Sequence, residues 1–166
     1  MQTHMPRVTF PTPIGRCAIS WNDAGLTGFD LPEAAPTSEA EQSLPAEFSA
    51  VINRVQRHLA GELQDFADLR FDFDIMPPFH VAVLRATVAV KPGQTRTYGE
   101  IARNMGHPTS ASRAVGSALG ANRWPLLIPC HRIVSADGKM TGFSGPGGIS
   151  TKLRLLRIEG AQLFAE

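Results

Sequence analysis

Apolar and polar positions in the first thirty residues follow strand-like spacing. "RCAISW" (16–21) and "LTGFDL" (26–31) are β-rich runs separated by Asn22-Asp23-Ala24-Gly25, a turn cluster, and together they predict a β-hairpin. Residues 32–46, rich in Pro, Ala and Glu, predict a loop. The period then becomes helical, with Phe48, Val51, Ile52, Val55 and Leu59 on one face and Gly61 at the end. "LRFDFDI" (69–75) alternates strictly, which predicts a half-exposed strand, and Pro77-Pro78 marks a boundary. Beyond it the pattern is mostly helical. "FHVAVLRATVAV" (79–90) carries a stripe of Phe79, Val83, Ala86 and Val90, and Pro92-Gly93 stops it. "YGEIARNMG" (98–106) and "ASRAVGSALGAN" (111–122), joined through "HPTS", predict a helix-turn-helix. A Gly-rich loop (137–148) precedes a last helix over 151–160. The expected class is α/β, with a sheet-plus-helix lobe over 1–78 and a mostly helical lobe over 79–166.

Composition adds limits. The 166 residues are 43% hydrophobic and 19% charged, an ordinary globular mixture. No run approaches the ~18 consecutive apolar residues that a membrane span requires. The opening "MQTHMPRVTF" lacks the apolar stretch of a secretory signal, so a cytoplasmic protein is expected. Cys17 and Cys130 are then expected as free thiols. With only these two cysteines and five scattered histidines, no metal site is expected. The net charge of +1 conceals a division. Residues 1–78 hold 5 Arg and Lys against 11 Asp and Glu, a net of −6, and residues 79–166 hold 11 against 4, a net of +7. A basic half invites a polyanion, and equally the two halves could attract each other.

The second helix of the helix-turn-helix favours the polyanion. Ala111, Val115, Ala118 and Leu119 form an apolar face, leaving Ser112, Arg113, Gly116, Ser117 and Gly120 outside. One arginine among small residues has little with which to read bases in a major groove. Such a slim helix suits close approach to a duplex in the minor groove, with Arg113 inserted into the base stack. Weak sequence preference and strong salt dependence are expected.

"LLIPCHRIV" (126–134) carries the candidate chemistry. A cysteine after Leu126, Leu127 and Ile128 should be an inert core residue. Pro129 breaks the run, however, and His131 and Arg132 follow, which predicts a strand ending with a thiol, an imidazole and a guanidinium at a mouth. A nucleophilic thiol needs its proton removed and a partly open site. His131 could serve through a bridging water, and Glu159, one of four acidic residues in the basic half, is the leading candidate to orient it.

"IPCHRIV", with "TYGEIA", "SRAVGSALGAN", "GFSG" and "KLRLLRIEG" in order, resembles the O6-alkylguanine-DNA alkyltransferases; a weaker likeness extends over "TPIGRCAISWNDAGLTGF". The resemblance implies that Cys130 accepts the alkyl group, with His131 as water-mediated base and Glu159 as its partner. It implies that the Tyr98 phenol protonates the departing guanine, that Arg113 fills the gap left by a flipped nucleotide, and that Asn122 braces the turn around Cys130. It places Thr95, Ser112, Ala114, Gly116, Ser117 and Arg123 with Arg113 against DNA. Trp124, Pro125, Ile133, Phe143 and Ser144 fall around the base pocket, although Trp124, where relatives more often have a smaller residue, could instead pack in the core. The first lobe is expected to be RNase H-like and the second winged-helix-like. The expected partner is double-stranded DNA bearing alkylated bases, bound by a monomer without cofactor. Alkyltransferase-like proteins, which bind lesions without accepting the group, are the alternative; they lack the cysteine.

Overall fold

The structure, a computed structural model, describes residues 6–32, 44–74, 76–136 and 148–161. Three strands, β1 (Arg7–Thr12), β2 (Gly15–Asn22) and β3 (Gly25–Asp30), form an antiparallel meander in sequence order. The expected hairpin is β2–β3. Its turn closes because the Asn22 Oδ1 accepts hydrogen bonds from the backbone N–H groups of Ala24 and Gly25, at 2.8 and 3.1 Å. β1 was not expected from the pattern. Helix α1 (Ala46–Leu59) lays Phe48, Val51, Val55 and Leu59 on the sheet, and Phe48 stacks on Trp21 at 5.3 Å between ring centroids.

The segment 69–75 departs from expectation. It makes one parallel bridge, Leu26 with Phe71, rather than a strand. Two hydrogen bonds tie it to β3, Leu26 N–H to the Arg70 carbonyl and Asp72 N–H to the Leu26 carbonyl. Asp72 then accepts from the backbone of Asp74, and Met76 N–H bonds the Phe73 carbonyl, which turns the chain towards the next helix before a ladder can form. The alternation had a different cause. Phe71 and Phe73 share a face because both pack their rings edge-on against Trp124.

Helix α2 (Pro78–Val88) begins at the expected boundary, with proline in its first turn. Its buried face is Val83, Leu84 and Thr87, rotated from the expected stripe, and the Thr87 hydroxyl is satisfied by the Val83 carbonyl at 2.7 Å. The helix-turn-helix is α3 (Tyr98–Asn104) and α4 (Ser112–Gly120). A capping box starts α3: Thr97 accepts from Glu100 N–H, and Glu100 accepts from Thr97 N–H. Its end is a Schellman turn, in which Gly106 at φ +84° lets His107 N–H reach the Ala102 carbonyl and Gly106 N–H the Arg103 carbonyl. Two short strands, β4 (Arg96–Thr97) and β5 (Ile133–Val134), pair in parallel, and α5 (Gly148–Ile158) closes the described chain. No helix among the described residues is long and apolar enough to cross a membrane.

The two halves meet on Trp124. Its side chain is wholly buried, its indole N–H donates to the Leu26 carbonyl at 3.0 Å, and the Arg123 carbonyl accepts from Phe29 N–H at 2.9 Å. The edge of β3 thus supports the loop that leads to Cys130.

Candidate active site

The loop between α4 and Cys130 is built by its own polar groups. Asn122 spans it: its amide donates to the Ile128 carbonyl and its Oδ1 accepts from Trp124 N–H, each at 2.9 Å. Leu126 adopts φ +79°, a left-handed conformation that costs a non-glycine residue on the order of 1 kcal/mol or more. The Asn122 bracket and an Ile128 N–H to Trp124 carbonyl bond at 2.8 Å hold it there. Pro129, at φ −81° and ψ 66°, forms an inverse γ-turn closed by Cys130 N–H on the Ile128 carbonyl at 2.7 Å.

Cys130–Arg132 is a 3-10 turn, not the end of a strand as expected; the strand, β5, follows it. The inverse γ-turn at Pro129 reverses the chain too sharply for extended pairing. Cys130 remains partly exposed whereas His131 and Arg132 are buried. The other thiol, Cys17, is fully enclosed in the sheet, and burial pushes its pKa up to about 12, so it is inert.

Burial also raises the Cys130 thiol above its ordinary value. The Asn122 amide, the Lys152 ammonium and the backbone N–H groups of Cys130 and His131 pull the other way. The resting group is therefore a thiol, and it needs a base. The adjacent His131 is the candidate. Its Nε2 lies 2.9 Å from Glu159 Oε2, and its Nδ1 is buried with no hydrogen-bond partner among the described residues. A carboxylate can only accept, so Nε2 carries the proton and Nδ1 offers its lone pair. Burial outweighs Glu159 and lowers the His131 pKa, which keeps the ring neutral at neutral pH.

Glu159 caps α5. Gly160, at φ +71°, closes the helix so that Ala161 N–H reaches the Leu156 carbonyl, and the carboxylate is left pointing inward. Arg132 grips it with two bonds, Nε to Oε1 at 2.9 Å and a terminal nitrogen to Oε2 at 2.7 Å, and donates also to the Val90 carbonyl at 2.6 Å. His58, on α1, places its Nε2 2.9 Å from the same Oε2. Burial disfavours the carboxylate, but His131, Arg132 and His58 together overcome this and hold its pKa well below the usual range. Lys152 is buried as well and donates to the Ile133 carbonyl at 2.9 Å. Burial lowers its pKa to about 8, against the opposing charge of Cys130.

Tyr98 opens α3 directly after β4, so the β4–β5 pair anchors its backbone to the segment that follows Cys130. Its phenol pKa is raised by burial and then by the neighbouring Cys130, whose thiolate form would disfavour a second negative charge, and this leaves Tyr98 a proton donor near the thiol. The ring lies beside α4, where a methyl group on Gly116 would stand 3.7 Å from it. Apart from Arg113, the rest of the outward face of α4 is small: Arg113, Ala114 and Ser117 are exposed, Ser112 and Gly116 half-buried.

Residues 78–161 match the family described as 6-O-methylguanine DNA methyltransferase, DNA binding domain. The chain belongs to the O6-methylguanine-DNA methyltransferase family. It is 35% identical over 160 residues to the methylated-DNA–protein-cysteine methyltransferase of Mycobacterium tuberculosis, covering 95% of this chain and 94% of that protein. It is 38% identical to a DNA base-flipping protein of Thermus thermophilus, over 91% of this chain and 97% of the relative. The crystal structure of the M. tuberculosis OGT in complex with DNA superposes with a TM-score of 0.77, at 36% identity and 92% coverage of both chains.

In this alkyltransferase chain the structure gathers Cys130, His131, Glu159, Tyr98 and Asn122 into one site. Trp124, expected around the base pocket, instead takes the alternative placement: it is core, facing β3, and presents no surface to a ligand. Ile133 is likewise fully buried, against the expectation that it lines the base pocket. β5 turns its side chain into the core and presents its carbonyl to Lys152. Pro125 and Thr95 are half-buried and Arg123 is exposed. Phe143 and Ser144 lie outside the described residues.

Three site residues were missed by the sequence reading. Lys152 stands at helical spacing with Leu155, Leu156 and Glu159, a charged residue on the buried stripe of α5. His58 sits on the buried stripe of α1, three residues after Val55. A charge or imidazole on an apolar stripe is the signal that would have found both. Arg132 was visible only as a neighbour of Cys130.

Proposed function

We propose that this protein repairs O6-alkylguanine in duplex DNA by flipping the damaged base and transferring its alkyl group, once per molecule, to Cys130. The observation that carries this reading is a partly exposed thiol next to a neutral imidazole whose Nδ1 lone pair has no partner among the described residues and whose Nε2–H is held by a buried carboxylate. His131 Nδ1 takes the Cys130 proton through a bridging water. The thiolate attacks the alkyl carbon, the carbon–O6 bond breaks, and its electron pair passes to the guanine. Tyr98 donates a proton to the guanine as it leaves and is reprotonated at the expense of the His131 imidazolium. Overall the thiol proton ends on guanine and the alkyl group on sulfur. A thioether has no carbonyl for water to attack, so the product persists.

The slim outer face of α4 supports a minor-groove approach, with Arg113 filling the space of the flipped base. The reading divides the chain into an RNase H-like domain over 1–78 and a winged-helix-like DNA-binding domain over 79–166, acting as a monomer in the cytoplasm. The likeness to a base-flipping protein favours a second reading, a lesion sensor without transfer. Burial of Trp124 removes the feature that would have blocked the alkyl carbon, and Cys130 supplies an acceptor.

Intact mass and peptide mapping after incubation with a duplex containing one O6-methylguanine test the proposal. One methyl on Cys130, stoichiometric and lost in Cys130→Ser while DNA binding persists, is expected. Tight lesion binding with no mass change would overturn it in favour of the sensor.

A further inference from the structure

The buried carboxylate of the site is shared by two imidazoles, and only one belongs to the Cys-His segment. His58 comes from α1, in the acidic N-terminal half, and is wholly buried. Its ring position is set from both sides: Nδ1 accepts from Gln64 N–H at 2.9 Å, and Nε2 lies 2.9 Å from Glu159 Oε2. A backbone N–H can only donate, so the ring proton must sit on Nε2 and be given to Glu159. Packing alone does not call for an imidazole here. The neighbours on the stripe are Val51, Val55 and Leu59, and the ring's aromatic contact is Phe66, at 5.3 Å between centroids.

We propose that His58 is a positioning residue for the proton relay at Cys130, holding Glu159 Oε2 in line with His131 and limiting how strongly that oxygen draws the His131 proton. The proposal rests on the transferase reading for its effect on rate, but not for its effect on His131. Every donor to Oε2 takes up part of the carboxylate's charge. With His58 and Arg132 both donating, His131 is left neutral and basic at Nδ1. Without His58 the carboxylate would stabilise the His131 imidazolium more strongly and would be freer to rotate. The groups facing His58 are Glu159 from α5, His131 and Arg132 from the 3-10 turn, Gln64, and Phe66, whose ring also carries the Arg54 guanidinium at 5.3 Å. The N-terminal half thus contributes directly to the reactivity of a cysteine that the other half carries.

The test compares His58→Met, which keeps bulk without a donor, with His58→Gln, whose amide can reach Glu159, in the full chain. Single-turnover methyl transfer from an O6-methylguanine duplex is followed against pH, together with NMR titration of the His131 ring and thermal melting. His58→Met is expected to slow transfer at neutral pH about tenfold, the worth of one hydrogen bond to a charged group. In this variant the His131 titration and the acidic limb of the rate profile should move together to higher pH, and His58→Gln should recover most of the rate and return the titration. An unmoved His131 titration in His58→Met, or equal slowing in both variants, would make His58 merely structural and overturn the proposal. If His58→Met does not fold, His58→Asn, whose amide is too short to reach Glu159, takes its place. If the wild-type protein transfers no methyl, the repair reading fails, and the His131 titration still decides for or against His58.

Discussion

The N-terminal surface and the cluster around Glu159 both pair opposite charges, under opposite physical conditions. Arg54 with Asp68, Arg57 with Glu62 and Arg70 with Glu47 lie on the outside of the first half. There water screens each pair, and holding two long side chains together costs about as much as the contact gains. Around Glu159 the side chains of His58, His131, Arg132 and the carboxylate itself are at most 4% exposed. Removing a charge from water is costly, and here it is offset by His58, His131 and Arg132, which all donate to the carboxylate. The net charge of each half therefore reflects its exposed residues, whereas the Cys-His site is organised around one buried carboxylate that hardly alters the sum.

The largest effect should come from breaking the buried cluster on one side. Glu159→Ala leaves Arg132 buried without its carboxylate, and urea unfolding should show a loss of about 3–5 kcal/mol. Transfer to Cys130 should fall with it, since His131 loses the acceptor that fixes its tautomer. A variant as stable as wild type would place Glu159 with the surface pairs.

Acid should act on the same cluster. The folded-state pKa of Glu159 lies below its usual 4.5 and that of His131 below its usual 6.5. The stability that each contributes is present above its unfolded value and is lost as pH falls through the folded one. Stability should therefore decline below about pH 6.5 as unfolded histidine takes up protons, and further below about pH 4.5 as carboxylates do. Transfer rate should fall on acidification too, because a protonated His131 accepts no proton. Melting temperatures and single-turnover rates over pH 4–8 check both.

Arg113→Ala probes the outside of the molecule, since on the proposed reading this exposed charge serves base flipping and not folding. Melting should be unchanged, while repair in duplex slows far more than reaction with the free base. Equal slowing on both substrates would count against base flipping. The smallest effect belongs to Asp68→Ala, which opens an exposed pair and should cost about 1 kcal/mol or less.

The fold was legible wherever a local pattern had a local cause. The β2–β3 hairpin follows from Asn22 and its turn, α1 and the two helices of the helix-turn-helix from their stripes, and the start of α2 from Pro78. The alternation at 69–75 misled because Phe71 and Phe73 face a ring from distant Trp124 and not a neighbouring strand. Similarly, "LLIPCHRIV" reads as a strand by composition, but the inverse γ-turn at Pro129 and the bracket of Asn122 impose a 3-10 turn.

From the sequence alone came the Cys130-His131 pair and the slim helix carrying Arg113 on which the repair proposal rests, because each is written in a short run whose chemistry needs few partners. Only the tertiary structure decided that Trp124 is core, that Lys152 stands near the thiol, and that His58 shares Glu159 with His131 across 101 residues of chain. Such contacts depend on which buried stripes are brought face to face. That is set by packing between α1, α5 and the Cys130 turn, and no local pattern encodes it.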